Sequence, residues 1–363
     1  MHVFCAASLS VFGCGAGAVG NIATGADAAS AHSDNASPDT TATSIGPDVA
    51  SDAKGATGSW TSGKSAPEAR LEGFAAVASG HFYYMGGITG IFGDQLSAKT
   101  SARVDIFDPA TGVWSAGPDL PVGAARHHLA VAVVADAIYL LGGFTGILGG
   151  SEEAGKFIPN NQTWRLTGAT WTRMADQPMA RGAATAQALA GRIYVTGGGA
   201  DENGAQTETY EYDPTADKWT ARAALPTQRE HLASCAIGGK MLVVGGWFSV
   251  AKQTLNASQI YDPQKDQWTV MPDVPTSRGG LGAAALGNTC YVIGGEQWHI
   301  ALPGTFGVNE GFNVGTSTWQ TFAAMPTSRH GFGLVAWNGA LYAIGGAPIM
   351  GNSYTDVVEV FSP

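Results

Sequence analysis

Six arginines stand at one fixed distance from six glycine pairs. Arg70, Arg126, Arg181, Arg229, Arg278 and Arg329 each precede by 17 residues the second glycine of a pair, at Gly87, Gly143, Gly198, Gly246, Gly295 and Gly346. A spacing held six times demands a repeated structural unit. The last copy, Met325 to Gly346, reads as a polar turn, the arginine, a small-residue stretch, an Asn-Gly turn, a second apolar stretch and the diglycine. Other copies turn equally tightly, at ASGH, IGGK and LGNT. Two short runs split by such a turn are a β-hairpin.

Past each diglycine comes a variable loop, then an aromatic residue seven positions before a tryptophan. The pairs are Phe107 and Trp114, Trp164 and Trp171, Tyr212 and Trp219, Tyr261 and Trp268, and Phe312 and Trp319. Several bracket an Asp-Pro turn, as in FDPATGVW and YDPQKDQW, where Asp-Pro stops the preceding strand. Each unit therefore has four strands: a and b before the diglycine, c with the aromatic, d with the tryptophan. Diglycines recur 48 to 56 residues apart and no stretch keeps helical periodicity, so the class is all-β. The 51 glycines, without a Gly-X-Y period, fit a chain of many turns.

The arginine, the diglycine and the spaced aromatic and tryptophan resemble the kelch repeat. The resemblance covers about Trp60 to Pro363 and implies a six-bladed β-propeller of four antiparallel strands per blade. Kelch propellers include protein-binding adaptors, galactose oxidase, sialic acid mutarotases and plant specifier proteins, so the family leaves activity open. The aromatic pairs are expected between blades, and the diglycines where a Cβ would obstruct a close approach. The sixth unit reaches Phe361, its strand-c aromatic, and has no tryptophan after it. Trp60 stands 10 residues before Arg70, the usual tryptophan-to-arginine interval, with no strands a to c before it. The segment from residue 58 is thus expected to supply the last blade's outer strand and close the ring, which removes two open sheet edges.

The leader, residues 1–14, is a short apolar run ending at Cys14. Val11-Phe12-Gly13-Cys14 resembles a bacterial lipobox, which makes Cys14 the expected lipidation site, although no Lys or Arg precedes the run. Residues 15–57 are mostly Gly, Ala, Ser, Thr and Asp and read as a flexible tether. Residues 58–363 form the propeller. The chain is expected to be exported: a periplasmic or cell-surface lipoprotein, or secreted. A net charge of −10 argues against nucleic acid and leaves a lipid anchor as the route to a membrane. Cys235 and Cys290 read first as buried thiols, with a disulfide between them left open.

Strand parity selects a functional face. The d–a connections and b–c loops emerge together, and the b–c loops are long, so candidate binding residues gather on the face that bears the arginines. The six arginines read first as structural donors to loop carbonyls, and second as a cationic ring for an anionic ligand. Beside them stand His127, Glu230 and His330; the loops add Trp247, Glu296, Trp298 and His299, with acids Asp94, Glu152, Glu153 and Glu202 at the rim. These apolar and aromatic loop residues form either a concave ligand surface or local lids over the blade edges.

On an extended segment the residue two after each arginine points the same way. Those residues are Glu72, His128, Ala183, His231, Gly280 and Gly331. The kelch resemblance also puts residues near this position around the central pocket. Glu72, His128 and His231 are the candidate catalytic residues, with three readings: solvated groups at a channel mouth, ligand or acid/base groups, or metal ligands. The expectation is a monomer without cofactor or metal. It is either a binding module for a glycan, small polar molecule or protein, or a sugar epimerase or mutarotase. The copper ligands and Tyr–Cys crosslink of galactose oxidase have no recognisable counterpart here.

Overall fold

The structure, a computed structural model, describes residues 57–91, 97–146, 157–199, 204–248, 253–297, 304–350 and 353–363. Six antiparallel four-stranded sheets make up the propeller. Blade 1 runs Phe74–Ala78, His81–Met85, Val104–Asp108 and Val113–Ala116, from the axis outward. Blades 2 to 5 repeat this order, starting from Ala130–Val134, Thr185–Leu189, Ala233–Ile237 and Gly282–Leu286. These innermost strands are rich in Ala and Gly because six of them crowd one axis, where larger side chains would overpack.

Blade 6 takes Gly333–Trp337, Ala340–Ile344 and Val358–Ser362 from one end of the chain and Ser59–Ser62 from the other. Trp60 lies opposite Phe361, with ring centroids 5.2 Å apart. The ring therefore closes as expected, through an outer strand contributed by the N-terminal segment.

Apolar side chains pack between neighbouring blades. Met85 of blade 1, for example, shares one buried cluster with Leu140 and Leu166 of blade 2, and Val244 of blade 4 shares another with Val292 and Phe312 of blade 5. On the outside, each strand-d tryptophan donates its indole N–H to a carbonyl of the preceding blade. Trp60 bonds Ala323, Trp171 bonds Pro118, Trp219 bonds Ala175, Trp268 bonds Ala223 and Trp319 bonds Pro272, at 2.7–2.9 Å. Trp114 bonds Lys64 O at 3.1 Å, across the closure. An indole that buries its body and satisfies its one donor suits this position.

Blade 2 corrects the expected aromatic pairing. Elsewhere the residue facing the tryptophan is the aromatic seven positions earlier, as with Phe107 and Trp114. In blade 2 the c–d turn is two residues shorter, so Leu166 faces Trp171 while Trp164 faces Arg173. Leu166 is the buried member, and the seven-residue spacing of Trp164 is a coincidence.

The cysteines correct a second expectation. Cys235 and Cys290 are joined by a disulfide, with Cα atoms 6.0 Å apart. They come from strand a of blade 4 and strand b of blade 5, so the bond staples two blades from within their shared core. Equivalent positions were not needed, because the shared core brings a residue of strand a against strand b of the next blade. Among the described residues no helix is long and apolar enough to cross a membrane.

Two outcomes follow from this architecture. A variant lacking residues 58–66 melts well below the full chain in differential scanning calorimetry, since it uncovers the Val358–Ser362 edge; equal melting temperatures would refute closure. Removing the staple as C235A/C290A lowers urea-unfolding stability by up to about 4 kcal/mol, the chain-entropy value for a 55-residue loop. Reductant added to the native protein leaves the bond intact, because both cysteines are buried.

Candidate functional site

The six arginines, 0–1% exposed, lie inside the protein. Arg278 shows the arrangement: Nε donates to Gly294 O at 2.7 Å, Nη2 to Val292 O at 2.9 Å, and Nη1 to Glu310 at 2.6 Å. In five blades the arginine reaches the carbonyl of its own first glycine, Gly86, Gly142, Gly197, Gly245 or Gly294. The arginine's own carbonyl accepts a hydrogen bond from the second glycine of the preceding blade. These six bonds run from Gly87 to Arg126, Gly143 to Arg181, Gly198 to Arg229, Gly246 to Arg278, Gly295 to Arg329 and Gly346 to Arg70, at 2.7–3.0 Å. A Cβ on Gly245 would stand 2.6 Å from Arg278 O, and Gly246 has φ +102°. The motif is thus one inter-blade clasp.

This placement corrects the reading of the arginines as a cationic ring open to an anionic ligand. A buried guanidinium needs protein acceptors, and strand c, or in blade 2 the residue just before it, supplies them. Arg70 pairs with Asp105, Arg126 with Gln162, Arg229 with Gln259, Arg278 with Glu310 and Arg329 with Glu359. Arg181 instead has its guanidinium carbon 5.0 Å from the centre of the Tyr210 ring. Sequence reasoning missed these acceptors. Their signal is a polar residue two before the strand-c aromatic, at Asp105, Gln259, Glu310 and Glu359.

The residue two after each arginine does converge on the axis. Glu72, His128, Ala183, His231, Gly280 and Gly331 line one cavity of about 40 Å³. The cause is different from the expected strand alternation. All six adopt left-handed backbone, with φ between +52° and +62°. A chain of backbone bonds at 2.7–3.0 Å runs from Glu72 N through Gly331, Gly280, His231 and Ala183 to His128 O. Glycine takes this conformation freely, whereas each side-chain-bearing residue accepts a cost of about 1–2 kcal/mol. Glu72, His128 and His231 are therefore held at the mouth against backbone preference.

The residue one after each arginine pairs with the residue after the diglycine. His127 faces Phe144, Glu230 faces Trp247, Gly279 faces Glu296 and His330 faces Ala347. Large residues of one blade rest over small ones of the next: Phe144 over Gly182, and Trp247 over Gly279. Phe144 and Trp247 thus pave the cavity surround. Gly331 similarly makes room for the Glu72 carboxylate, which a Cβ there would strike.

Polar side chains crowd this floor. His128 Nε2 is 3.6 Å from Glu72 Oε1, and His330 Nε2 is 3.5 Å from Glu296 Oε2. His127 Nδ1 bonds His128 Nδ1, and His127 Nε2 bonds Gly146 O at 2.8 Å. The His128 and His231 rings are 4.8 Å apart, and Trp247 stacks on His231 at 4.1 Å. Burial pushes Glu72 up to about 8, and pushes His127 down to about 4 and His231 and His330 to about 3. His128 falls well below 6.5, from burial first and neighbouring histidines second. Near neutral pH the floor holds a protonated carboxyl among neutral imidazoles.

Of the sequence-predicted residues, Glu72, His127, His128, Glu230, His231, Trp247, Glu296 and His330 gather here. Trp298, His299, the rim acids Asp94, Glu152, Glu153 and Glu202, and Cys14 lie outside the described residues.

The family model described as the KLHDC2/KLHL20/DRC7 Kelch-repeats domain matches residues 127–346. The Kelch-like protein terF of Aspergillus terreus is 27% identical over 311 residues, spanning 85% of this chain and 56% of that protein. Kelch-like protein 23 of Pongo abelii is 26% identical over 264 residues, 72% of this chain and 44% of that protein. The chain thus spans about half the length of these relatives. The solved structure titled "Structure of YjhT" superposes with a TM-score of 0.67 at 16% identity, covering 81% of this chain and 95% of that one, a likeness of fold. With the Arg–diglycine clasp in all six blades and the family model matching most of the propeller, the chain belongs to the kelch-repeat family.

Proposed function

We propose that this protein is an exported kelch-propeller binding module that takes a glycan or other small polar ligand, or a polar group of a partner protein, on the face bearing the d–a and b–c loops. One observation carries the reading. Three axial positions keep titratable side chains on left-handed backbone, Glu72 and His128 buried and His231 half-buried, where two other blades use glycine and one uses alanine. Neither stability nor folding rewards that choice. The cavity has room for a few waters or one functional group and is too small for a whole sugar ring. The ligand therefore presents a single polar group to Glu72, His128 and His231 and rests its remainder on the surrounding face. Export is supported by the Cys235–Cys290 staple, since such bonds persist in oxidising compartments. It is supported also by the lipobox-like leader.

A second reading, a sugar epimerase or mutarotase, draws on the opposed shifts of Glu72 and the histidines. A carboxyl poised near 8 beside neutral imidazoles offers a proton donor and an acceptor at neutral pH. Sialic acids and neutral sugars titrated into the full chain, followed by NMR, separate the two. Binding without faster anomeric exchange, weakened in E72Q and H128A, supports the module at this site. Exchange acceleration that E72Q or H128A abolishes establishes the enzyme. Absence of binding by every sugar removes the small-ligand reading.

The Glu72 carboxyl also sets a pH trend. Its folded value of about 8 lies above the ordinary 4.5, so folding takes up a proton and stability falls as pH rises through that window. In EDTA-containing buffer E72Q is therefore expected to gain on the native chain between pH 5 and 8.5, by on the order of a few kcal/mol. A constant difference across that range in thermal melts would contradict the assignment.

A further inference from the structure

We propose that Glu72, His128 and His231 form a binding site for one divalent transition-metal ion of the zinc or iron(II) class, with its open coordination positions facing the axial cavity. The inference deepens the proposed ligand site and rests on that site being functional. One ligand atom from each residue lies within 4.8 Å of the other two. Two imidazoles and one carboxylate are the donor set that zinc and non-haem iron(II) share.

The hydrogen bonds around His128 fix which nitrogen is available. Gly146 O can only accept, so His127 Nε2 carries a hydrogen. Neutral His127 then has a bare Nδ1, and the bond to it requires the hydrogen on His128 Nδ1. Neutral His128 consequently turns a bare Nε2 lone pair toward Glu72 Oε1. At 3.6 Å the two do not share a hydrogen bond. Two ligands of one tetrahedral ion, each about 2.1 Å from it, stand roughly 3.4 Å apart, so the gap suits a shared cation.

Around this pair the protein supplies what a metal site needs. His127 is the outer partner that orients a ligating imidazole, anchored in turn to a main-chain carbonyl. His231 is held by the stacked Trp247 indole, and its Nδ1 is buried without a hydrogen-bond partner among the described residues. With every ligand atom of the trio within 4.8 Å of the others, small side-chain shifts bring His231 to ligand distance. A cation also removes the cost of an ionised carboxylate in a buried place. Ala183, Gly280 and Gly331 leave the remaining coordination positions to water or to a ligand's polar group.

The test uses the full chain, stripped with EDTA and reloaded with zinc, iron(II) or cobalt(II). Elemental analysis is expected to return about one equivalent of metal per chain after dialysis, and its identity distinguishes zinc from iron. Cobalt(II) is expected to produce visible d–d bands, with a rise in melting temperature on loading. H128A, H231A and E72Q weaken cobalt binding more than 100-fold, and H127A, a positioning residue, weakens it by about 10- to 100-fold. His81→Ala, outside the axial cavity, leaves it unchanged. H128N and H231N serve where an alanine variant fails to fold. No stoichiometric metal, or cobalt bands that persist in H128N and H231N, overturns the site. Sugar binding at full strength by the EDTA-stripped chain, without metal uptake, also overturns it and leaves the binding module standing. Metal uptake with no sugar bound sustains the metal site and removes the glycan reading.

Discussion

Every blade of this propeller is tied to its neighbour by the same pair of contacts on one arginine. The side chain binds the carbonyl of its own blade's diglycine or strand b, and the main-chain carbonyl accepts from the diglycine of the blade before. Because the last of these bonds runs from Gly346 back to Arg70, the clasp is a closed cycle. A charge buried this deeply is costly without a partner, which explains the carboxylates and amides planted in strand c. Removing Glu310, for instance, would strand the guanidinium of Arg278 in the core.

The blade count, the closure strand and the axial convergence were all legible in the sequence. Each follows from spacing, and spacing survives in a chain whatever the side chains do. The six axial residues were found by assuming an extended segment, although the chain there is left-handed. Position was recovered because the repeat enforces it, not because the assumed dihedral was right. Blade 2 shows the limit of counting: Trp164 sits seven residues before Trp171, yet a shorter turn hands the buried place to Leu166.

Other features were not legible. Whether Cys235 meets Cys290 depends on how neighbouring blades interlock, which no local pattern encodes. The inward direction of the arginines likewise depends on acceptors that lie 30 or more residues away. The opposed proton affinities of Glu72 and the histidines arise from burial that only the assembled ring creates. Sequence could nominate the axial trio, and the fold supplies the desolvation that makes it chemically distinctive.

The chain of main-chain bonds around the mouth has a consequence for how such a site changes. From Glu72 round to His128, backbone donors are matched to backbone acceptors between blades, so the scaffold spends its own polarity on itself. The mouth is lined by six axial residues, one per blade, four with side chains and two glycines, each in a conformation that glycine alone would already satisfy. The ring therefore behaves like a six-letter lock set in a fixed frame. New letters alter the chemistry at the mouth, while the frame that displays them is built by the main chain of the same residues.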